Sequence, residues 1–396
     1  MIKAKNNIEG EMLIKSLVTS IKNQDWDTYK MLMSDDQKEF YEDYFSDEKN
    51  TDGIKQILNI DLDDIIELTK DEVSDELLYD EYPSLKKATS LESFLISVNC
   101  KVDKENAFFY NGINYFLIVL VQEADGEYKI AQFNRPSYQL LEKIVGKEIK
   151  DTDKGKKIAL EVVKYAEKGI LINGEGNFIT DGYKVKRKDK RTGKVTDITE
   201  KEINKCNFVK SYSSNNYKDH PNLDAYFYYT VPSKITVRMN KTDNSKIVSV
   251  GLSSYIKNTL PNEWYSTWDA SALKAGAYCV KGVAIYRSIK PVNVNYMVSQ
   301  GTQFYEPNTA EKATNKAVNA ISNKYMVDTS FCIFFPEYGA GDKGEAGKKG
   351  SGRLLQNGSQ YLASKLGYSC DKILNYYYKN SSYSDGKIKY VTYGDV

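Results

Sequence analysis

The segment that most restricts the fold is DASALKAGAYCVKGVAIYRS, Asp269 to Ser288. At helical spacing, Leu273, Ala277, Val280 and Ala284 share one face, and Ala272, Gly276, Cys279 and Val283 form a second face of small residues. A helix apolar on most sides is stable only when buried. Thr267 or Asp269 can cap its start. The carboxyl-terminal half must therefore be built around this helix. Before it, KITVRMNKTDNSKIVSVGLSSYI reads as two alternating strands about an Asn/Asp turn. After it, TAEKATNKAVNAISNKYM and the stretch following Ser369, SCDKILNYYYKN, read as further helices.

The amino-terminal part has a different pattern. EGEMLIKSLVTSIKNQD places Met12, Leu13, Leu17 and Ile21 at near-helical spacing, DWDTYKMLMS repeats the period, and DGIKQILNI reads as another helical stretch. From about Ser90 the chain turns to strands rich in β-branched and aromatic residues, with a hairpin at Glu123 to Glu127 around Asp125-Gly126. Helices followed by antiparallel strands predict an α+β layer. The charged, glycine-bearing stretch GKEIKDTDKGKK marks a boundary between residues 1–148 and 149–396. Beyond it, a helix over KKIALEVVKYAEKGI leads into a basic hairpin with its tip at Thr192-Gly193-Lys194.

A chain of 396 residues has room for two or three domains. A net charge of +1 gives no basis for a nucleic-acid partner. No apolar run reaches the ~18–20 residues of a membrane span and the start has no signal-peptide core. Either the protein is cytoplasmic or an export segment has been removed, and membrane contact is expected only through such a removed export or anchor segment. The 32 tyrosines against 14 phenylalanines supply flat faces with polar tips, suited to sugars and to half-wet sheet surfaces alike. Five scattered cysteines without a CxxC pair argue against a disulfide framework. With a single histidine, His220, in a loop-like setting, a metal site and a histidine-based triad are both disfavoured. No cofactor is expected. The glycine-rich YGAGDKGEAGKKGSGR fails the phosphate-loop spacing and reads as a flexible surface loop.

Chemistry then falls to YIKNTLPNEW, which sets Glu263 beside Leu260, Pro261 and Trp264, with Trp268 close by. Desolvation by such neighbours favours the neutral acid, the form that can protonate a glycosidic oxygen near neutral pH. A structural alternative is that Glu263 caps the following helix or pairs with Lys257 or Lys274.

The same residues carry a resemblance. YIKNTLPNEW and ALKAGAYCVKGVAIY are similar to the YLKGVV-x-x-E-M and ALKAQA-x-AARTYA elements of the stage II sporulation protein D and amidase-enhancer family, with Tyr255, Lys257, Glu263, Ala272, Leu273, Lys274, Ala275, Ala277 and Ala284 matching. QGTQFY resembles its Thr-x-Gln-x-Tyr turn at Thr302, Gln303 and Tyr305, and GSGRLLQNGSQYLASKLGYSCDKILNYYY resembles its closing segment. The likeness spans about Lys234 to Tyr378. It implies a peptidoglycan lytic transglycosylase in which Glu263 is the single acid and base, acting on glycan strands of N-acetylmuramic acid and N-acetylglucosamine. It also implies a substrate surface of Lys257, Trp264, Lys274, Gln303, Tyr305, Tyr338, Ser351, Arg353 and Gln356, and a location outside the cell membrane. Two positions depart from the pattern: Ser351 replaces the closing histidine, and Gly276 replaces the glutamine of ALKAQA. Binding of glycan without cleavage is the alternative reading. IKNQDWDTYKMLMSDD resembles the opening of nuclear-transport-factor-2-like domains, implying a cone-like α+β module over residues 1–148 that offers a surface to an envelope partner. On that division of labour, a fragment starting near Asp151 retains any activity.

Overall fold

The computed structural model describes residues 2–48, 50–145, 160–163, 165–166, 171–174, 177, 179, 183–188, 195–197, 229–243, 246–329 and 333–392. It has an α+β fold. Three helices come first: α1 (Ile2–Asn23), α2 (Trp26–Leu32) and α3 (Asp35–Ser46). Asp25 caps α2 by accepting the Thr28 N–H at 3.0 Å. Four antiparallel strands follow in sequential order: β1 (Ile57–Leu68), β2 (Leu91–Val102), β3 (Gly112–Gln122) and β4 (Tyr128–Asn134). The β3–β4 hairpin turns where Asp125-Gly126 predicts it, with Gly126 N–H bonded to Glu123 O at 3.0 Å.

The helical reading of DGIKQILNI is overturned. Gly53–Gln56 is a single 3-10 turn, and the chain then runs straight into β1. Ile57 and Ile60 turn into the helix-side core, whereas Asp61, Asp63 and Glu67 lie outside that core. On α1 the buried stripe is Ile14, Leu17, Val18 and Ile21, and Met12 faces solvent.

Alternation along the strands fills two cores. Phe94, Ile96, Phe116, Ile118 and Ile130 meet the aromatic residues of α2 and α3, Tyr29, Phe40, Tyr41 and Tyr44. Leu95, Leu117, Val119 and Val121 meet Val73, Tyr82, Leu85 and the helix α4 (Tyr138–Val145) on the opposite face.

The expected boundary at 146–155 lies outside the described residues, as do the hairpin tip at 192–194 and His220. The basic hairpin itself is present: β5 (Tyr183–Lys188) pairs antiparallel with β6 (Val195–Asp197) and with β7 (Tyr229–Pro232). Next, β8 (Lys234–Arg238) and β9 (Ile247–Gly251) form the expected antiparallel pair. Helix α5 (Leu252–Glu263) leads to α6 (Ala270–Ile289), the apolar helix, which is buried from Ala272 to Ile289 apart from Lys274, Gly282 and Tyr286. Asp269 is its cap, accepting the Ser271 N–H at 2.7 Å. Around α6 lie β10 (Val298–Ser299), which pairs parallel with β8, then α7 (Lys312–Asn319) and β11 (Lys324–Val327). The run TAEKATNKAVNAISNKYM is thus helical only in its middle, because its end, from Lys324, pairs with the closing strand of the chain. The chain closes with β12 (Tyr338–Gly339), β13 (Leu354–Leu355), α8 (Gln356–Ser364), α9 (Cys370–Tyr378) and β14 (Lys389–Thr392).

The two halves share a buried seam. Val292, Val294 and Tyr296, from the loop after α6, enter the amino-terminal aromatic core. Tyr82 donates to Val292 O at 2.7 Å, Asn295 accepts the Ile54 N–H at 3.0 Å, and Tyr296 donates to Glu81 at 2.6 Å. Arg238 of β8 donates to Gln37 at 3.1 Å and stacks on Phe40 at 4.3 Å. Burial raises the pKa of Glu81, and hydrogen bonds from Ser299 and Tyr296 with the Arg238 charge oppose the rise. The inner face of the amino-terminal module is therefore occupied by this chain's own loop.

The glycine-rich segment before β13 is tethered, contrary to the flexible-loop expectation. Tyr376, Tyr377 and Tyr378 of α9 donate their hydroxyls to Gly347 O, Ala346 O and Glu337 O at 2.8, 2.7 and 2.8 Å. Gly341, Gly344, Gly347, Gly350 and Gly352 all take positive φ, which lets the chain fold back repeatedly beneath that helix.

Candidate active site

Glu263 is the last residue of α5 and the start of the turn into α6. Neither structural alternative for it holds. Asp269 caps α6, and among the described residues no ion pair joins Glu263 to a lysine. Lys257 and Lys274 are half-buried on α5 and α6.

Three donors converge on the half-buried carboxyl. The Phe304 N–H reaches Oε1 at 2.9 Å. Gln356 Nε2, at the start of α8, reaches Oε2 at 3.2 Å and also the Glu263 backbone oxygen at 2.7 Å. The Tyr338 hydroxyl of β12 faces it as well. Burial raises the pKa of Glu263, and the Phe304, Gln356 and Tyr338 bonds, with the more distant Lys241 charge, oppose the rise without cancelling it. Burial thus favours the neutral acid, and the same donors are placed to stabilise the carboxylate it would leave behind.

The Tyr338 hydroxyl is set by a chain of side chains. Tyr255 donates to Gln303 Oε1 at 2.8 Å, and Gln303 Nε2 donates to Tyr338 at 3.0 Å. With its acceptor oxygen already engaged, Gln303 presents its amide to Tyr338, leaving the phenolic proton free to point to Glu263. Gln303 is buried, and buried Tyr305 stacks on Tyr255 with ring centroids 5.5 Å apart. Both act as supports rather than substrate contacts.

Trp264 does not fit the expected substrate surface. It is 0% exposed, its Nε1 donates to Ser359 at 3.2 Å, and its ring tilts against Tyr338. An added Cβ on Gly276 would come within 2.5 Å of the indole. The missing side chain at 276 is what admits Trp264 behind the acid, so this departure from the ALKAQA pattern has a local packing cause.

Ser351 and Arg353 are exposed, and their hydrogen bond and ion pair go elsewhere than to the carboxyl. The Ser351 hydroxyl donates to Arg353 O at 2.9 Å, and Arg353 pairs with Glu337 at 3.4 Å. Sequence reasoning missed the Phe304 amide, because a backbone donor has no residue type. The usable signal was the turn QGTQFY, whose Thr302 and Gln303 N–H groups both bond Ser299 O at 3.0 Å and so aim the next amide at the acid.

No curated protein sequence matches the chain. Residues 240–327 match the family model described as Stage II sporulation protein (SpoIID). That span holds α5, α6 and the QGTQFY turn, hence Glu263, Gln303 and the Phe304 amide, and it excludes the amino-terminal module and the closing segment. Within the carboxyl-terminal half, residues 240–327 are thus similar to the stage II sporulation protein family.

Proposed function

We propose that the protein is a peptidoglycan lytic transglycosylase and that Glu263 is its acid and base. The observation that carries this reading is a carboxyl with no ion pair to a lysine among the described residues, its pKa raised by burial, facing three donors. Glu263 gives its proton to the oxygen joining N-acetylmuramic acid to N-acetylglucosamine, and the C1–O bond breaks. The carboxylate, stabilised by Phe304, Gln356 and Tyr338, then takes the proton of the sugar's C6 hydroxyl. O6 bonds to C1, closing a 1,6-anhydro ring and restoring the acid. No second carboxylate and no water are consumed, unlike in two-carboxylate hydrolysis. Such a substrate lies outside the cell membrane, so the reading places the protein there.

A second reading, binding of glycan without cleavage, is favoured by Ser351. Its hydroxyl is spent on Arg353 O, and serine cannot take over the proton chemistry of a histidine. Mass spectrometry of purified peptidoglycan after incubation separates the two. Release of 1,6-anhydro ends that falls about 10²-fold or more in Glu263→Gln supports the enzyme. Retention of strands without anhydro ends supports the binder.

A further inference from the structure

The turn between α5 and α6 exposes two aromatic rings that the acid does not use. Tyr265 is 67% exposed, the most exposed tyrosine among the described residues, and Trp268 is half-buried beside it. Their rings meet edge to face with centroids 5.2 Å apart. The turn that sets this pose is closed by the Trp268 N–H on Tyr265 O at 2.9 Å.

The turn is also fixed against α8. Gln360 accepts the Asp269 N–H at 2.8 Å, while Gln356, four residues earlier, holds Glu263. Residues four apart lie on one helix face, about one turn or ~6 Å along the axis. One face of α8 therefore positions both the acid and the aromatic turn. Exposed aromatic pairs beside a reactive group mark binding surfaces. Flat rings receive the C–H faces of a pyranose, while the Tyr265 hydroxyl and the polar Ser266, Thr267 and Asp269 around them suit its hydroxyls.

We propose that Tyr265 and Trp268 form a sugar-stacking platform for a glycan residue flanking the bond at Glu263. The inference rests on the transglycosylase reading for the identity of the strand, and its test is separable. In the Glu263→Gln background, peptide-free glycan strands and the tetrasaccharide of N-acetylglucosamine are titrated, with tryptophan fluorescence and calorimetry as readouts. Trp264 is buried, so Trp268 is the indole in this region that a bound sugar can reach. Quenching on binding is expected. Tyr265→Ala, at an exposed position, should weaken binding about three- to tenfold, and Trp268→Phe should keep binding while losing the quench. Equal affinity in Tyr265→Ala and its parent, or no binding by the parent, overturns the platform. Anhydro products from the wild type with no effect of Tyr265 remove the platform and leave the enzyme. Tyr265-dependent binding without anhydro products does the reverse.

Discussion

Gln356 Nε2 bridges two oxygens of one residue, the backbone carbonyl of Glu263 at 2.7 Å and its carboxyl at 3.2 Å. The end of α5 and the orientation of the acid are thereby fixed by a single amide from α8. Removing it should act on position and on proton affinity together.

Gln356→Leu should lower the rate of anhydro-product release about tenfold, the worth of one hydrogen bond to a charged group. Gln356 lowers the pKa of Glu263, so its loss raises it. A general acid works protonated, and its rate falls as pH rises through its pKa. The alkaline limb of the pH–rate profile should therefore move to higher pH in the variant. An unmoved limb would detach Gln356 from the acid.

Glu263→Gln should show the burial of the acid in stability as well. A carboxyl whose folded pKa lies above its unfolded value contributes stability that is full below the unfolded pKa and lost as pH rises through the folded one. The neutral amide has no such loss. Urea midpoints should match near pH 4 and favour the variant at pH 8. A variant weaker at pH 8 would indicate a stabilising ion pair that the structure does not show.

Gly276→Ala should cost about 1–3 kcal/mol by driving a methyl group into the Trp264 indole. Trp264→Phe makes room, so the double variant should recover part of the loss. Thermal unfolding of the four proteins of this cycle measures the coupling. Strict additivity would mean the two residues do not share the space.

The seam changes what truncation should do. Arg238→Leu should destabilise the protein by roughly 3–5 kcal/mol, because Glu81 stays buried with less compensation. A fragment starting near Asp151 exposes Arg238, Val292, Val294 and Tyr296 at once. It should aggregate or stay unfolded by circular dichroism rather than retain activity. A soluble, cooperative fragment would restore independent domains.

The α6 helix and the β8–β9 hairpin were legible because their periodicities are strong and local. β1 was not: in IDLDDIIEL the aspartates stand where a helix and a one-faced strand look alike, and pairing with β2 decides. The seam was hidden for another reason. Nothing in the sequence around Asn293 and Asn295 signals burial, yet they are buried because tyrosine hydroxyls from far along the chain meet them. At the acid, the carboxyl and Gln356 were readable as motif residues. The burial of Trp264 depended on a glycine twelve positions away and was not.

Two of the hydroxyls of α9 reach the glycine loop and the third reaches Glu337 just ahead of it, which recasts the tyrosine surplus. Their rings would pack as well as phenylalanine, and their oxygens add to the anchors that the Gly350 and Gly352 N–H groups make to Tyr376 O and Tyr377 O. The loop's order can thus be inherited or lost separately from the core beneath it. A lineage that lengthened this loop would be free to exchange Tyr376 and Tyr377 for phenylalanine. In such a protein, Lys348 and Lys349 would become the bonds that trypsin finds first.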